Sequence, residues 1–233
     1  MKNIELIKKV FIGLPCYNEE KDINDLINRL FEIEDIINNK FNMKMQIICV
    51  NDGSIDETLK IIKTRQEKNI CLIDHEINKG LGEAIKSILK EFKKQGNEND
   101  YLIIMDADNS HNPKYIIDLI QKQIKSHCDV VVASRYQEGA KISGLKKFRI
   151  AISNLAKIWY TKMLKIPNVK DYTCGFRLYT YSCIDKAIKI YSNNLITQSS
   201  FACMMELLYN LYQNGAKITE IPFSLEYDKK KRK

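Results

Sequence analysis

Tyr101-Leu-Ile-Ile-Met105-Asp106-Ala-Asp108-Asn-Ser-His111 sets a short apolar run directly before two carboxylates spaced one residue apart. An apolar run of this length, ended by turn-forming residues, reads as a buried strand. Residues 106–111 are then the turn at its carboxyl end. Two Asp in that turn offer hard oxygen donors. Mg²⁺ or Mn²⁺ is usually held by one or two carboxylates, with substrate phosphates and waters filling the other positions. The turn therefore points to a nucleotide diphosphate. Asp and Asn at a strand end can equally cap the next helix, so the rest of the chain has to decide.

Working outward, the same alternation recurs on both sides. Strands are expected at 10–14, 45–50, 69–73, 101–105 and 129–134. Helices are expected at 19–38, 56–67, 82–94 and 113–126. In the first of these Ile23, Leu26, Ile27, Leu30 and Ile33 recur at helical spacing. Asn112 is a candidate cap, with Pro113 in the first turn. Strands alternating with helices give an α/β fold, a mostly parallel sheet covered on both faces. Ligands of such sheets sit beyond the carboxyl ends of the strands. Pro15-Cys-Tyr17, Asn51-Asp52 and Asp106-Ala-Asp108 all fall there. After Arg135 the alternation stops: a loop at 139–144, an amphipathic helix at 145–166, an extended piece at 171–179, helices at 185–191 and 200–214, and a strand at 217–225.

The chain has 233 residues, enough for one large domain. The expected organisation is a single domain, with 1–134 its nucleotide-binding half and 135–233 its acceptor-binding half. No apolar run approaches the ~18 residues that span a bilayer. The first residues lack the apolar core of a signal peptide, so a cytoplasmic protein is expected. Seven scattered cysteines, with no C-x-x-C pair, read as reduced thiols without a disulfide frame or zinc site. The net charge of +8 is unevenly placed. Residues 229–233 are all cationic, and 139–170 contains no Asp or Glu but eight lysines and arginines. Such a strip implies an anionic partner, or else a solvated helix face. With Phe148, Trp159 and Tyr160 among its apolar residues, helix 145–166 suits either a membrane interface or packing on the sheet.

Seven motifs occur in a familiar order: Leu14-Pro-Cys-Tyr-Asn-Glu-Glu20, Val50-Asn-Asp-Gly-Ser-Ile-Asp56, Asn78-Lys-Gly-Leu-Gly-Glu-Ala84, Met105-Asp-Ala-Asp-Asn-Ser-His111, Ala133-Ser-Arg-Tyr136, Asp171-Tyr-Thr-Cys-Gly-Phe-Arg177 and Glu220-Ile-Pro222. In them the chain resembles the family-2 inverting glycosyltransferases of the GT-A fold, a Rossmann-like nucleotide-diphospho-sugar transferase architecture. It resembles in particular the polyprenyl-phosphate glycosyltransferases of the dolichyl-phosphate mannose synthase group.

The resemblance implies donor contacts from Pro15, Tyr17, Glu19, Val50 and Asp52, and from Asp106, Ala107, Asp108 and Arg135. Glu19 could instead cap its helix, and Asp56 could cap the next. Asp108 would bind Mg²⁺ or Mn²⁺, Ser110 stands where relatives offer another ligand, and Asp106 would hold sugar or ribose hydroxyls or share the metal. His111 is read as a cap or packing residue more than a ligand. Gly80 and Gly82 would let the backbone pass close to the ligand. Arg135, Arg149 and Ser153 match positions that hold acceptor or transferring phosphates, with Arg177 and Asp171 flanking that pocket. Asp171 is either a catalytic base or an ion-pair partner of Arg177.

The implied activity is inverting, metal-dependent transfer of a sugar from a UDP- or GDP-linked donor to a polyprenyl phosphate, on the cytoplasmic membrane face. The alternative is a family-2 transferase acting on a glycan or glycolipid hydroxyl, which would need Asp171 as base. A nucleic-acid module is disfavoured because no nucleic-acid motif is present, and a nucleotidyltransferase because Gly13-Leu-Pro is not a glycine-rich phosphate loop. Three departures stand out. Asn51 replaces a first Asp, Cys16 and Cys174 replace Thr or Ser, and the expected loop after Tyr227-Asp-Lys-Lys230 is missing, so a truncated chain or natural short form is expected.

Overall fold

The computed structural model describes residues 7–65, 67, 69–140, 142–143 and 163–226. A seven-stranded sheet runs in the order β3-β2-β1-β4-β7-β5-β8. Its strands are β1 (Lys8–Cys16), β2 (Met43–Asp52), β3 (Ile70–His75), β4 (Tyr101–Ile104), β5 (Val130–Ser134), β7 (Arg177–Thr180) and β8 (Ile218–Pro222). β2, β1 and β4 are parallel neighbours, with Gly13 opposite Ile104 and Pro15 opposite Val50. Their carboxyl ends therefore share one edge, and the turn after β4 brings Asp106 and Asp108 beside Tyr17 and Asp52.

The helices are α1 (Ile23–Phe41), α2 (Thr58–Thr64), α3 (Leu81–Gln95), α4 (Tyr115–Ser126), α5 (Tyr181–Tyr191) and α6 (Ala202–Gln213). Leu26, Ile27 and Leu30 on α1 are fully buried. Each such side chain contributes roughly 1.5–3 kcal/mol, which fixes α1 and the loop before it that carries Tyr17 and Glu19. A Cβ at Gly13 would meet Ile88 Cγ2 at 2.6 Å, so the glycine lets α3 lie close on β1.

The expected strands and helices before residue 135 are present, with ends shifted by a few residues. The second half differs more. β7 enters antiparallel between β4 and β5, a long-range pairing that no local pattern announces. α5 starts at Tyr181 rather than 185, because Thr180 Oγ1 accepts the Cys183 N–H and caps it. The expected strand 217–225 breaks after Pro222. Its last part, β9 (Leu225–Glu226), pairs in parallel with β6 (Ile142–Ser143), inside the segment read as a loop. Helix 145–166 and the end of the chain from 227 lie outside the described residues, apart from 163–166. No described helix is long and apolar enough to cross a membrane.

Candidate active site

Two cavities open at the carboxyl edge of the sheet. The first, about 280 Å³, is lined by Pro15, Tyr17, Glu19, Asp52 and Ala107 among others. The second, about 540 Å³, is lined by Ser110, His111, Arg135, Thr173 and Met205 among others. Asp106, Asp108 and Phe201 belong to both. The two carboxylates thus stand where the cavities meet.

The turn that carries them is braced from three sides. Asp108 is exposed, and its Oδ1 accepts the Ser110 N–H at 3.0 Å. Asn109 takes a left-handed φ of 60°, which Asn tolerates. Its amide donates to Asp25 Oδ2 at 2.6 Å and its oxygen accepts from Arg29 Nη1, tying the turn to α1. The Asp106 N–H donates to His111 Nδ1 at 3.1 Å. His111 is itself buried, stacked on Phe176 at 5.1 Å and edge-on to Phe223 at 5.4 Å. His111 is thus a packing residue that orients the turn. A Cβ at Gly175 would lie 3.0 Å from Asp106 Oδ1, so glycine leaves that carboxylate room.

Negative charge accumulates here. Burial, and then the charges of Asp108, Asp22, Asp106 and Asp56, push the Glu19 carboxyl up to about 7. The carboxylates of Asp106 and Asp108 with the Ser110 hydroxyl form a hard oxygen set, which fits Mg²⁺ or Mn²⁺ and would relieve that charge. Among the described residues no three His, Cys, Asp or Glu side chains form a protein-only metal site. A cation would need oxygens from its ligand, as Mg²⁺ usually does.

Behind the second cavity Arg135 grips Asp171. Nε donates to Oδ2 and Nη2 to Oδ1, both at 2.8 Å, and the Arg135 N–H adds a third bond to Oδ2 at 3.0 Å. Asp171 is fully buried. Burial alone would raise its carboxyl; the bonds and charge of Arg135 outweigh it and hold the group below the usual 3.8. Burial likewise opposes the Arg135 charge, and Asp171 more than restores it. Glu220 Oε1 accepts from the Lys170 and Asp171 N–H groups, both at 2.8 Å, which fixes the approach to this pair.

Several expectations need correcting. Asp171 pairs with Arg135 and not with Arg177, and a buried, doubly bridged carboxylate is poorly placed to act as a base. Arg177 is fully buried, donating to the carbonyls of Met204 and Tyr172, so its guanidinium does not reach the second cavity as an acceptor-phosphate ligand. Val50 points into the core and does not line the first cavity as a donor contact. Arg149 and Ser153 lie outside the described residues. Gly82 makes room for the chain rather than a ligand, a Cβ there sitting 2.0 Å from the Gln198 carbonyl oxygen while its N–H donates to Ser199 O at 3.1 Å. Gly80 both lines the first cavity and admits Ser199, whose carbonyl oxygen would lie 2.7 Å from its Cβ.

That contact presents Phe201, which sequence reasoning missed. Glu206 accepts from the Thr197 and Gln198 N–H groups at 2.7 and 2.9 Å, so residues 197–199 are held at both ends. The ring stays 69% exposed between the two cavities. The only local signal was a large apolar residue after Ser199-Ser200, one position before the helix starts. Gly82→Ala is expected to push this segment away at a cost of about 1–3 kcal/mol, roughly 2–12 °C of Tm at this chain length. A thermal melt superimposable on that of the unsubstituted protein would contradict so close a contact.

The sequence profile described as Glycosyl transferase family 2 matches residues 11–188. The chain belongs to glycosyl transferase family 2. It is 30% identical, over 94% of its length and 86% of the relative's, to the UDP-N-acetylglucosamine--dolichyl-phosphate N-acetylglucosaminyltransferase of Methanococcus voltae. It is 28% identical to the dolichol-phosphate mannosyltransferase of Pyrococcus furiosus, covering 93% of this chain but only 56% of that one. The fold is that of GT-A glycosyltransferases. Glucosyl-3-phosphoglycerate synthase of Mycobacterium tuberculosis, crystallised with Mn²⁺, uridine diphosphate and glucosyl-3-phosphoglycerate, superimposes with a TM-score of 0.62 at 14% identity, covering 94% of this chain and 70% of that one.

Proposed function

We propose that this family-2 glycosyltransferase moves a sugar from a nucleotide-diphosphate sugar to a polyprenyl phosphate, with inversion and with Mg²⁺ or Mn²⁺. The observation that carries the proposal is the Asp106–Asp108 turn shared by two cavities. The first cavity suits the nucleoside, with Tyr17 and Asp52 on its walls, and the second suits the acceptor. The sugar to be moved then lies over the carboxylates. Asp108, with Asp106 and Ser110, would hold the metal, whose charge offsets that developing on the departing nucleoside diphosphate.

The setting of Asp171 favours a phosphate acceptor. A hydroxyl acceptor needs a protein base, and the one that the sequence offered is buried and locked to Arg135. A phosphate monoester has its second ionisation near pH 6, so at neutral pH it is itself the nucleophile and the protein only has to hold and aim it. Arg135 lines the second cavity, and its orientation is fixed by Asp171. The Methanococcus and Pyrococcus relatives carry dolichyl phosphate in their names, which supports the same acceptor class. The basic strip at 139–170 is assigned to the anionic membrane surface that presents such a lipid.

Radiolabelled nucleotide sugars offered with either a polyprenyl phosphate or the matching polyprenyl alcohol test this. Label is expected in the organic phase with the phosphate alone, and chelation with EDTA is expected to abolish it. Equal labelling of the alcohol would overturn the phosphate-acceptor reading.

A further inference from the structure

We infer that His75 sets the base specificity of the donor cavity, and that its arrangement with Asp52 selects uracil over guanine. The inference rests on the donor cavity proposed above.

His75 ends β3 directly opposite Asp52, the last residue of β2, in the parallel register. Both side chains are buried. The His75 ring is held from both sides: Nδ1 lies 2.8 Å from Asp52 Oδ1 and Nε2 lies 2.9 Å from Ser87 Oγ on α3. Because a carboxylate only accepts, Nδ1 carries the proton that faces Asp52. Two further donors come from the loop after β3. Lys79 N–H reaches Oδ1 at 3.0 Å and Gly80 N–H reaches Oδ2 at 2.9 Å.

An ionised carboxylate has about four lone-pair positions, two on each oxygen. Oδ1 already accepts two hydrogen bonds and Oδ2 accepts one. Asp52 lines the first cavity with a single acceptor position left, on Oδ2. Guanine presents two adjacent donors, N1–H and N2–H, that pair with both oxygens of a carboxylate. Against Asp52 one of them would be buried unpaired. Uracil presents one donor, N3–H, between two carbonyls, and one acceptor satisfies it. Asn78, beside Lys79 on the same cavity, carries an amide that can donate to a base carbonyl. His75 is a positioning residue here, acting through Asp52.

Calorimetric titration of UDP and GDP, each with Mn²⁺, tests the inference on the whole chain. UDP is expected to bind at least about tenfold more tightly, the cost of one buried unpaired donor. In His75→Ala, which returns a lone pair on Oδ1, the ratio of the two dissociation constants is expected to shrink toward one. In His75→Asn, whose amide can still donate to Oδ1, it is expected to persist. A purely structural role would weaken both nucleotides together and leave the ratio unchanged. Ser87→Ala, which removes only the outer hydrogen bond, is expected to shrink the ratio less and serves if His75→Ala does not fold. GDP binding as tightly as UDP, or an unchanged ratio in His75→Ala and Ser87→Ala, overturns the inference while leaving the donor cavity standing. Failure of both nucleotides to bind overturns the donor cavity and the inference with it.

Discussion

Asp108→Ala is expected to lower sugar transfer by at least about a thousandfold, because it removes a proposed ligand of the metal whose charge would offset that on the leaving diphosphate. Its carboxylate is exposed at the end of a turn and accepts one local hydrogen bond, from Ser110 N–H. Little packing is lost, so Tm is expected to change by no more than a degree or two. Asp106→Ala is a less clean test. Asp106 lies two residues beyond β4, and its carboxylate sits against Gly175 and 3.6 Å from His111 Nε2. Transfer assays and thermal melts on the same Asp108→Ala preparation separate the two effects. Turnover near that of the unsubstituted enzyme would remove Asp108 from the chemistry.

Asp171→Ala is expected to act in the opposite sense, on the fold first. It leaves Arg135 largely buried without its carboxylate, a change that costs about 3–5 kcal/mol. At this chain length that is roughly 6–20 °C of Tm. It also frees the 171–174 segment, since Asp171 Oδ1 accepts the Cys174 N–H at 3.1 Å. The pH dependence has a definite sign. The Asp171 carboxyl is held below its usual value in the folded protein, so its contribution is complete above about pH 4 and is lost as pH falls below that. Acid unfolding of Asp171→Ala should therefore be shallower than that of the unsubstituted protein, with the two stabilities converging at low pH. A mutant that melts normally yet has lost turnover would restore Asp171 as a base.

What could be read from the residues follows a physical division. Strands β1, β2, β4 and β5 are buried along nearly their whole length, and their apolar runs with intervening amphipathic helices state a parallel sheet plainly. The residues at or just past their ends, Tyr17, Asp52, Asp106 and Asp108, are brought together because parallel strands share a carboxyl edge. Features made by distant segments were not legible. β7 pairs antiparallel with strands far away in sequence. Asp171 finds Arg135 rather than Arg177 because β7 turns Arg177 into the core, where it donates to the carbonyls of Tyr172 and Met204. Phe201 reaches the cavities only because Gly80 and Gly82 admit residues 198–199. His75 has no local mark at all; its meaning comes from its register opposite Asp52.

Asp106 and Asp108 are proposed to hold a divalent metal together with a nucleoside diphosphate. Electron paramagnetic resonance of free aqueous Mn²⁺ measures this directly. Adding protein and UDP together is expected to remove more of the free-ion signal than either alone, with the Asp108→Ala protein adding nothing beyond UDP by itself. A signal that falls no further with the unsubstituted protein and UDP than with UDP alone would rule out a metal site at Asp106 and Asp108.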